Sequence, residues 1–585
     1  MRRAIALLLV CTSLACGSSV RRFRLQDPVW EDPDRNHVPG GPPAGYYSGL
    51  MADGADQMFF RPLAKLPTLR LPTEAMNVNA LDEVPNSAWF QNRIGFYDIP
   101  IDRFVKGPCD DVPDLDPKNG RWTVVAAKPN GANPGFFIKA PDGYRYLIKF
   151  DGTQQPGRPT ASDVIGCRLY WAAGYHTTCN GIVYFPEDHL DIDPKAEAED
   201  AYGEDQPITQ ADIDKVLSKA YRTKDGLLRA SFSRFVPGKP IGPFIYEGTR
   251  ADDPNDVVPH DERRELRAIQ VLAGWLGHFD SREQNTFNVW VKDGDRQYVR
   301  HFMIDFGSSF GSRWPRDQIS RRLGRSYYFD TEHVLADLLS LGLWPREWER
   351  LEVNDQEIFG YYDGDTFTSS QWRPGYPNPA FDRLTPRDAL WMVRILSRIT
   401  PEHLRAAIEL GRFHDPRETE ALLSLMLKRR QRIFEEYLTQ YPPLATFRLA
   451  RRTPDSLTQS LCFEDLALYH QVADPAVTYY KMRFRGGEDL DQELGWTQFT
   501  PDPEHPHRSC VVLPIGHKRP AQLAPPDAPD DHPLRYGVLD IFVHQTKSVR
   551  PTSALRHHFY DLGAARGYRL VGVERVMDPV VPTGY

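Results

Sequence analysis

Beyond a short run at its start, the chain has no hydrophobic stretch long enough to cross a bilayer, which excludes a polytopic helical membrane protein. It has no basic excess: 71 Lys and Arg stand against 79 Asp and Glu, a formal charge of −8. That balance argues against a general nucleic-acid binder. Cysteine is scarce, 7 in 585 residues, with no C-x-x-C pair and no His/Cys cluster, so nothing points to a structural zinc. No internal repeat and no long basic tail is visible. What is plentiful is proline, 50 residues, which implies long irregular connections. The hydrophobic fraction of 41% and charged fraction of 26% are those of ordinary globular protein, and the length suits two to four domains with substantial cores.

The N-terminus reads as an address. Arg2 and Arg3 precede an apolar run from Ala4 to Val10, followed by small residues up to Gly17. A positive start, a short apolar core and small residues make a secretory signal peptide over residues 1–16. Leu14-Ala15-Cys16-Gly17 resembles a bacterial lipoprotein cleavage site, with Cys16 as the lipidated residue. Ser13 stands where such sites usually carry Leu, and Ser13 with Ala15 equally serves an ordinary small-x-small cleavage. The expected location is therefore exported and membrane-anchored, in the periplasm or at the cell surface. Residues 17–75, rich in Pro and Gly, are expected to be a flexible tether. Export permits disulfides. Cys109, Cys167, Cys179, Cys462 and Cys510 are odd in number, so at least one stays unpaired or pairs between chains. Cys167–Cys179 and Cys462–Cys510 are candidate pairs, and buried free thiols are the alternative.

The chain is organised around the stretch from Gly277 to Gly311. Asp280 is followed five residues later by Asn285, and Asp305 sits in Met303-Ile304-Asp305-Phe306-Gly307. Between them Phe287–Val291 and Tyr298–Ile304 read as strands joined at Asp293-Gly294. A loop, a hairpin and a further Asp bring three oxygen-bearing side chains to one end of a small sheet. Such ligands suit Mg²⁺, and a nearby carboxylate suits a hydroxyl awaiting deprotonation. Upstream, Trp122–Ala127, Gly135–Lys139 and Tyr144–Phe150 read as strands, with Pro129–Gly135 as a loop and Pro141-Asp142-Gly143 as a tight turn. Lys149 lies inside the otherwise apolar third strand, where an unused charge is costly. Lys139 on the neighbouring strand is its competitor. A helix is expected over Ser162–Ala173, ended by Gly174, with Asp163 near its start as a capping or first-turn acid.

D-x-x-x-x-N followed by D-F-G resembles the catalytic and metal loops of protein-kinase-like enzymes. His278-Phe279-Asp280 stands where typical protein kinases have H-R-D, and the short gap to Asp305 is similar to the atypical branches: HipA-type kinases, secreted and spore-coat kinases, and phosphatidylinositol-kinase-like enzymes. The resemblance spans about residues 122–441. It implies an α+β, two-lobed fold: a small β-rich lobe over residues 76–236 and a large helical lobe over 237–445. It implies ATP and Mg²⁺ between them, Asp280 at the acceptor hydroxyl, Asn285 and Asp305 on metal, and Lys149 on the phosphates. Asp163 takes the place of the Glu that pairs with this Lys, one methylene short. Gly131 and Gly135 stand for the phosphate-covering loop, though the segment is not G-x-G-x-x-G and an ordinary hairpin loop is the alternative.

The remainder supplies context. Pro186–Gly226 is acidic and reads as an insertion with a helix opened by Thr209. Leu227–Val236 followed by Pro237-Gly238-Lys239-Pro240 resembles the hinge between lobes. Helices are expected over Asp261–His278, Thr331–Leu343, Pro386–Ile399, Pro401–Leu410 and Arg417–Tyr441. Arg313, Arg321, Arg322 and Arg325 are candidates for an acidic or phosphorylated substrate, or a solvated loop. Residues 446–585 read as a small, mainly β module of sandwich type, with Ser553–Ala565 as its one helix. The expected activity is phosphate transfer from ATP to a hydroxyl on a protein, sugar or lipid. A silent surface lipoprotein that keeps the fold as a binding scaffold, and an AMP transferase, are the alternatives.

Overall fold

The computed structural model describes residues 20–46, 49–65, 73–109, 114–128, 134–199, 205–451, 456, 458–516, 518–545 and 553–576. Cys16 and Gly131 lie outside them. The chain forms two compact units. One draws on Val29–Asn79 and Glu83–Thr439, the other on the chain up to Pro28, Ala80–Asp82 and Gln440 onward.

In the larger unit a seven-stranded sheet holds β1 (Trp122–Ala127), β2 (Gly135–Lys139), β3 (Arg145–Phe150), β4 (Asn180–Phe185), β5 (Leu190–Glu199), β6 (Asp205–Pro207) and β7 (Leu228–Arg234) in the order β4-β7-β3-β2-β1-β5-β6. The first three strands form an antiparallel meander. The acidic insertion does more than expected: β5 pairs parallel with β1 and extends the sheet, and only then does the helix Gln210–Leu217 follow, capped by Thr209. One face of the sheet closes over a core that includes Trp122, Phe136, Ile148, Phe150, Phe185 and Leu217.

The helix Arg158–Ala173 packs on β4 and β7. It starts four residues before the expected Ser162, because Pro159 fits its first turn. Every one of its residues is buried. Its outer side is covered by the segment before β1, where Arg103 lies over Trp171 and Arg168 donates to the Val105 carbonyl. Downstream, β8 (Lys239–Pro240), β9 (Thr286–Asp293) and β10 (Arg296–Met303) make a small sheet ordered β10-β9-β8, with Gly294 at φ 59° in the β9–β10 turn. The helices Arg264–Leu276, Pro386–Ser397, Pro401–Glu409 and Pro416–Tyr437 form the helical part. Thr385, Thr400 and Asp415 cap the last three, each with a Pro behind it in the first turn.

The smaller unit stacks two antiparallel sheets on a shared core. β11 (Leu444–Arg451), β12 (Gln459–Asp465) and β15 (Arg508–Leu513) form one. β13 (Tyr479–Gly486), β14 (Gln492–Phe499), β16 (Tyr536–His544), β17 (Ala554–Asp561) and β18 (Tyr568–Val576) form the other, ordered β14-β13-β16-β17-β18. Leu461 and Phe463 of the first meet Phe484, Ile541 and Phe559 of the second. The helix expected over Ser553–Ala565 is instead β17, a strand inside the larger sheet. All eight of its residues are buried, so no polar face alternates with an apolar one. Its polar side chains are paired across the sheet, Arg556 with Asp540 at 2.6 Å and His558 with Glu574 at 3.1 Å.

The tether expected over residues 17–75 is also corrected. Phe23 is buried in the smaller unit, its N–H donating to the Tyr536 hydroxyl at 2.9 Å, while helices Leu50–Ala55 and Arg61–Lys65 belong to the larger one. Two disulfides form, Cys109–Cys179 and Cys462–Cys510, the second across β12 and β15. The candidate pair Cys167–Cys179 does not: Cys167 is a buried free thiol facing the Thr178 carbonyl from the helix, and Cys179 reaches Cys109 instead.

Candidate functional site

Lys149 faces inward from β3 and is buried with its side chain only 5% exposed. Its Nζ lies 3.0 Å from Asp163 Oδ2 and 3.1 Å from Asp305 Oδ1. Burial alone would lower its pKa, but the two carboxylates outweigh that and raise it, so the amine is fully charged. Lys139, the competitor, ends β2 with its side chain exposed. Asp163 is almost completely buried, and its remaining contacts are donors: the Ser231 hydroxyl at 3.2 Å and the Phe306 N–H at 3.2 Å. The missing methylene of Asp relative to Glu is made up by close approach. Gly166, one turn along the same helix, lies so near Phe306 that a Cβ there would sit 2.5 Å from the Phe306 Cβ.

Asp305 follows β10 at φ 58°, a left-handed conformation that a non-glycine residue holds only when its surroundings impose it. Its neighbours do. Phe306 packs on Tyr170, ring centroids 4.7 Å apart, and the Asp305 carbonyl accepts from His278 Nε2 at 3.3 Å. Burial holds the His278 pKa down at about 4, so the imidazole is neutral. With its Nε2 proton committed to that carbonyl, Nδ1 accepts from the Tyr170 hydroxyl at 3.1 Å. The histidine of the His278-Phe279-Asp280 sequence thus braces the second loop. Arg158 pins the turn after Phe306, donating to the carbonyls of Gly307 at 3.0 Å and Ser309 at 2.6 Å. For Asp305 itself burial would raise the pKa, yet Lys149 and then Lys128 hold it well below the usual carboxylate range.

Asp280 leaves the helix Arg264–Leu276 through Gly277, whose φ of 63° ends the helix in a left-handed cap. Burial lifts its carboxyl to about 6, against the pull of Arg282, so it is mostly ionised at neutral pH. Arg282 Nε sits 3.0 Å from Oδ1, and Asn285 Nδ2 donates to Oδ2 at 3.0 Å and to the Asp280 carbonyl at 2.7 Å. Both partners of that Asn285 atom are acceptors, so it must be the NH₂. The Asn285 Oδ1 is thereby left to face another group.

Lys149, Asp163, Asp305, Asp280 and Asn285 therefore converge in one unit from β3, a helix and two loops. Gly135 adjoins this group through the backbone. It faces Lys149 across the β2–β3 register, and a Cβ there would meet the Ile148 carbonyl oxygen at 2.3 Å, so it permits strand approach. Gly131 is outside the described residues. The four arginines after Asp305 are committed internally: Arg313 to Glu357, Arg321 to Asp317, Arg325 to Asp363, and Arg322 to Ser326 and the Tyr327 carbonyl.

Three residues escaped the sequence reading. Lys128, just after β1, is half-buried; desolvation lowers its pKa, and it senses the charges of Asp305, Lys149, Asp163 and Asp280. Arg282 holds Asp280 and lies 5.1 Å over the ring of Tyr376, donating to its hydroxyl at 3.3 Å. Arg158 was hidden by the expected later helix start. Lys128 borders the loop and Arg282 is two residues from Asp280, so position was the available signal.

The donor set fits a magnesium ion. Asp305 offers its second carboxylate oxygen and Asn285 its amide oxygen, and Mg²⁺ typically takes one or two protein oxygens and completes its shell with water and phosphate. Among the described residues no group of three or more His, Cys, Asp or Glu forms a self-sufficient metal cage.

No family model matches the chain, and no curated protein is significantly similar to it. Among solved structures, the Helicobacter pylori proinflammatory kinase CtkA is similar at 14% identity and a TM-score of 0.27, over 55% of this chain and 93% of that one. The Golgi casein kinase is similar at 12% identity and a TM-score of 0.26, over 71% of this chain and 94% of that one. A structure of the Golgi casein kinase with Mn/ADP bound gives 10% identity and a TM-score of 0.21, over 55% and 75%. Scores this far below 0.5 fix no fold, and the case for chemistry stands on this chain's own side chains.

Proposed function

We propose that the larger unit is a two-lobed, kinase-like phosphotransferase that moves the terminal phosphate of ATP to a hydroxyl acceptor. The observation that carries this reading is the bridge made by Lys149 between Asp163 and Asp305, beside the hydrogen-bonded pair Asp280 and Asn285. One amine and four oxygen-bearing side chains, drawn from distant parts of the sequence, share a site with the spacing of roles that phosphoryl transfer needs.

In this reading the acceptor oxygen attacks the terminal phosphorus. A new P–O bond forms as the bridging P–O bond breaks, and the nucleoside diphosphate leaves with that electron pair. The hydroxyl proton passes to Asp280, whose carboxylate is oriented by Arg282 and Asn285. Lys149, kept charged by Asp163, would hold phosphate oxygens, and Asp305 and Asn285 would hold the metal. Mg²⁺, when bound, neutralises the phosphate charge. Catalysis then rests on positioning and charge, the two effects that dominate this reaction class.

Export with lipidation at Cys16 remains part of the proposal. Two disulfides in one chain favour an oxidising compartment. Since Val20 already packs in the smaller unit, a lipid on Cys16 would leave almost no spacer.

The test is thermal shift with Mg·ATP on protein lacking residues 1–16, beside Asp305→Ala. A shift in the wild type alone supports nucleotide binding, and no shift in either leaves the scaffold reading. Mass spectrometry of the product then tells phosphate from AMP.

A further inference from the structure

A second recess lies in the larger unit, and none of Lys149, Asp163, Asp280, Asn285 or Asp305 lines it. Its volume is about 490 Å³, within the range that holds a small organic ligand. Four arginines line it: Arg93, Arg103, Arg234 and Arg300. Among the described residues that do so, none is Asp or Glu. The arginines arrive from three places. Arg93 and Arg103 belong to the segment covering the buried helix, Arg234 ends β7, and Arg300 lies on β10.

Their arrangement is built. Arg93 donates to the carbonyls of Trp171 and Tyr175 at 2.7 and 2.9 Å, and Arg103 to the Gly107 carbonyl at 2.6 Å. Both guanidinium groups lie on the Trp171 ring, at 4.8 and 4.4 Å. Arg234 lies over Tyr144, and its Nη1 is buried with no acceptor. Arg300 reaches Asp293 at 3.3 Å while its Nε is buried with no acceptor. The Cys109–Cys179 disulfide ties the covering segment to the chain entering β4, and Pro108 and Cys179 are part of the wall.

Four guanidinium groups around one recess repel one another, and unmet buried N–H groups are costly. An anion with several oxygens relieves both. Guanidinium forks match phosphate better than a point charge does. We propose that this recess binds a small phosphorylated molecule, at a site separate from the proposed transfer site. It adjoins Phe235–Pro237, where the chain leaves β7 for β8, so an occupant would touch the crossing between the two sheets.

The test is calorimetric titration of the full chain with sodium pyrophosphate at low salt, in EDTA to suppress metal-dependent binding. One site per chain is expected. Arg103→Glu, at an exposed position, should weaken binding by about tenfold or more, the scale of one lost charge-assisted hydrogen bond, and Arg234→Gln should do the same with circular dichroism unchanged. Asp305→Asn should leave the affinity as it is, whereas an anion bound beside Lys149 would respond to the lost negative charge. No binding, binding indifferent to Arg103→Glu, or binding that follows Asp305→Asn would each overturn the proposal.

Discussion

Lys149 shows how much one side chain can be asked to hold. It neutralises Asp163, which is 1% exposed and has otherwise only two neutral donors. Lys149→Met should therefore cost about 3–5 kcal/mol of stability by leaving that carboxylate buried and unpaired, and urea unfolding will measure it. Lys149→Met with Asp163→Leu should recover much of the loss without recovering nucleotide binding. Asp280 has the opposite profile. Its burial is unfavourable to its charge, so Asp280→Asn should preserve folding and Mg·ATP binding while lowering transfer by about 10²–10⁴, the usual worth of a positioned acid or base, read in a single-turnover assay. Much of this was legible in the residues. A lysine in an apolar strand declares that its charge is used, and spacing alone set Asn285 beside Asp280. The more distant braces were not legible: Tyr376 and Arg158 act through folding of the chain back on itself, which leaves no local pattern. The Cys109–Cys179 bond was missed for the same reason, since 70 residues separate its halves.

At the scale of elements, the packing of Phe306 on the buried helix decides whether Asp305 faces Lys149. Gly166→Ala places a methyl where Phe306 stands, so it should cost about 1–3 kcal/mol as overpacking. Because the strain falls on Asp305's neighbour, transfer should drop more than thermal stability accounts for, a difference visible by assaying well below Tm. Helices with an apolar stripe and a Thr-Pro start were readable because their signals are local. β17 was not. Alternation marks a strand only when one face meets water, and a strand buried on both faces with its charges paired sideways imitates a helix of mixed character.

At the scale of the molecule, the smaller unit carries an acid-sensitive element. His557 is fully buried between Phe447 and its own strand, both ring nitrogens lack partners, and burial presses its pKa down to about 3. The unfolded chain protonates this ring near pH 6.5 and the folded one does not. Its contribution is therefore present above 6.5 and drains away as the pH falls toward 3. His557→Phe should flatten the loss of stability between pH 7 and 4.5 in denaturant titrations. Reducing the Cys109–Cys179 bond should lower the stability of the larger unit by about 4 kcal/mol in the chain-entropy account. A polypeptide beginning at residue 440 should melt below the full chain's smaller unit, because it lacks Phe23 and the Ala80 carbonyl that accepts from the Val573 N–H.

That last dependence reaches back to biosynthesis. Phe23 leaves the ribosome well before Tyr536, which receives it and is made 513 positions later. At ordinary elongation rates the wait is roughly half a minute to two minutes, with an aromatic residue exposed throughout. A holdase that occupies the segment around Phe23 would stand in for the absent sheet, and slowed translation of the codons between Phe23 and Tyr536 would lengthen the interval in which aggregation competes.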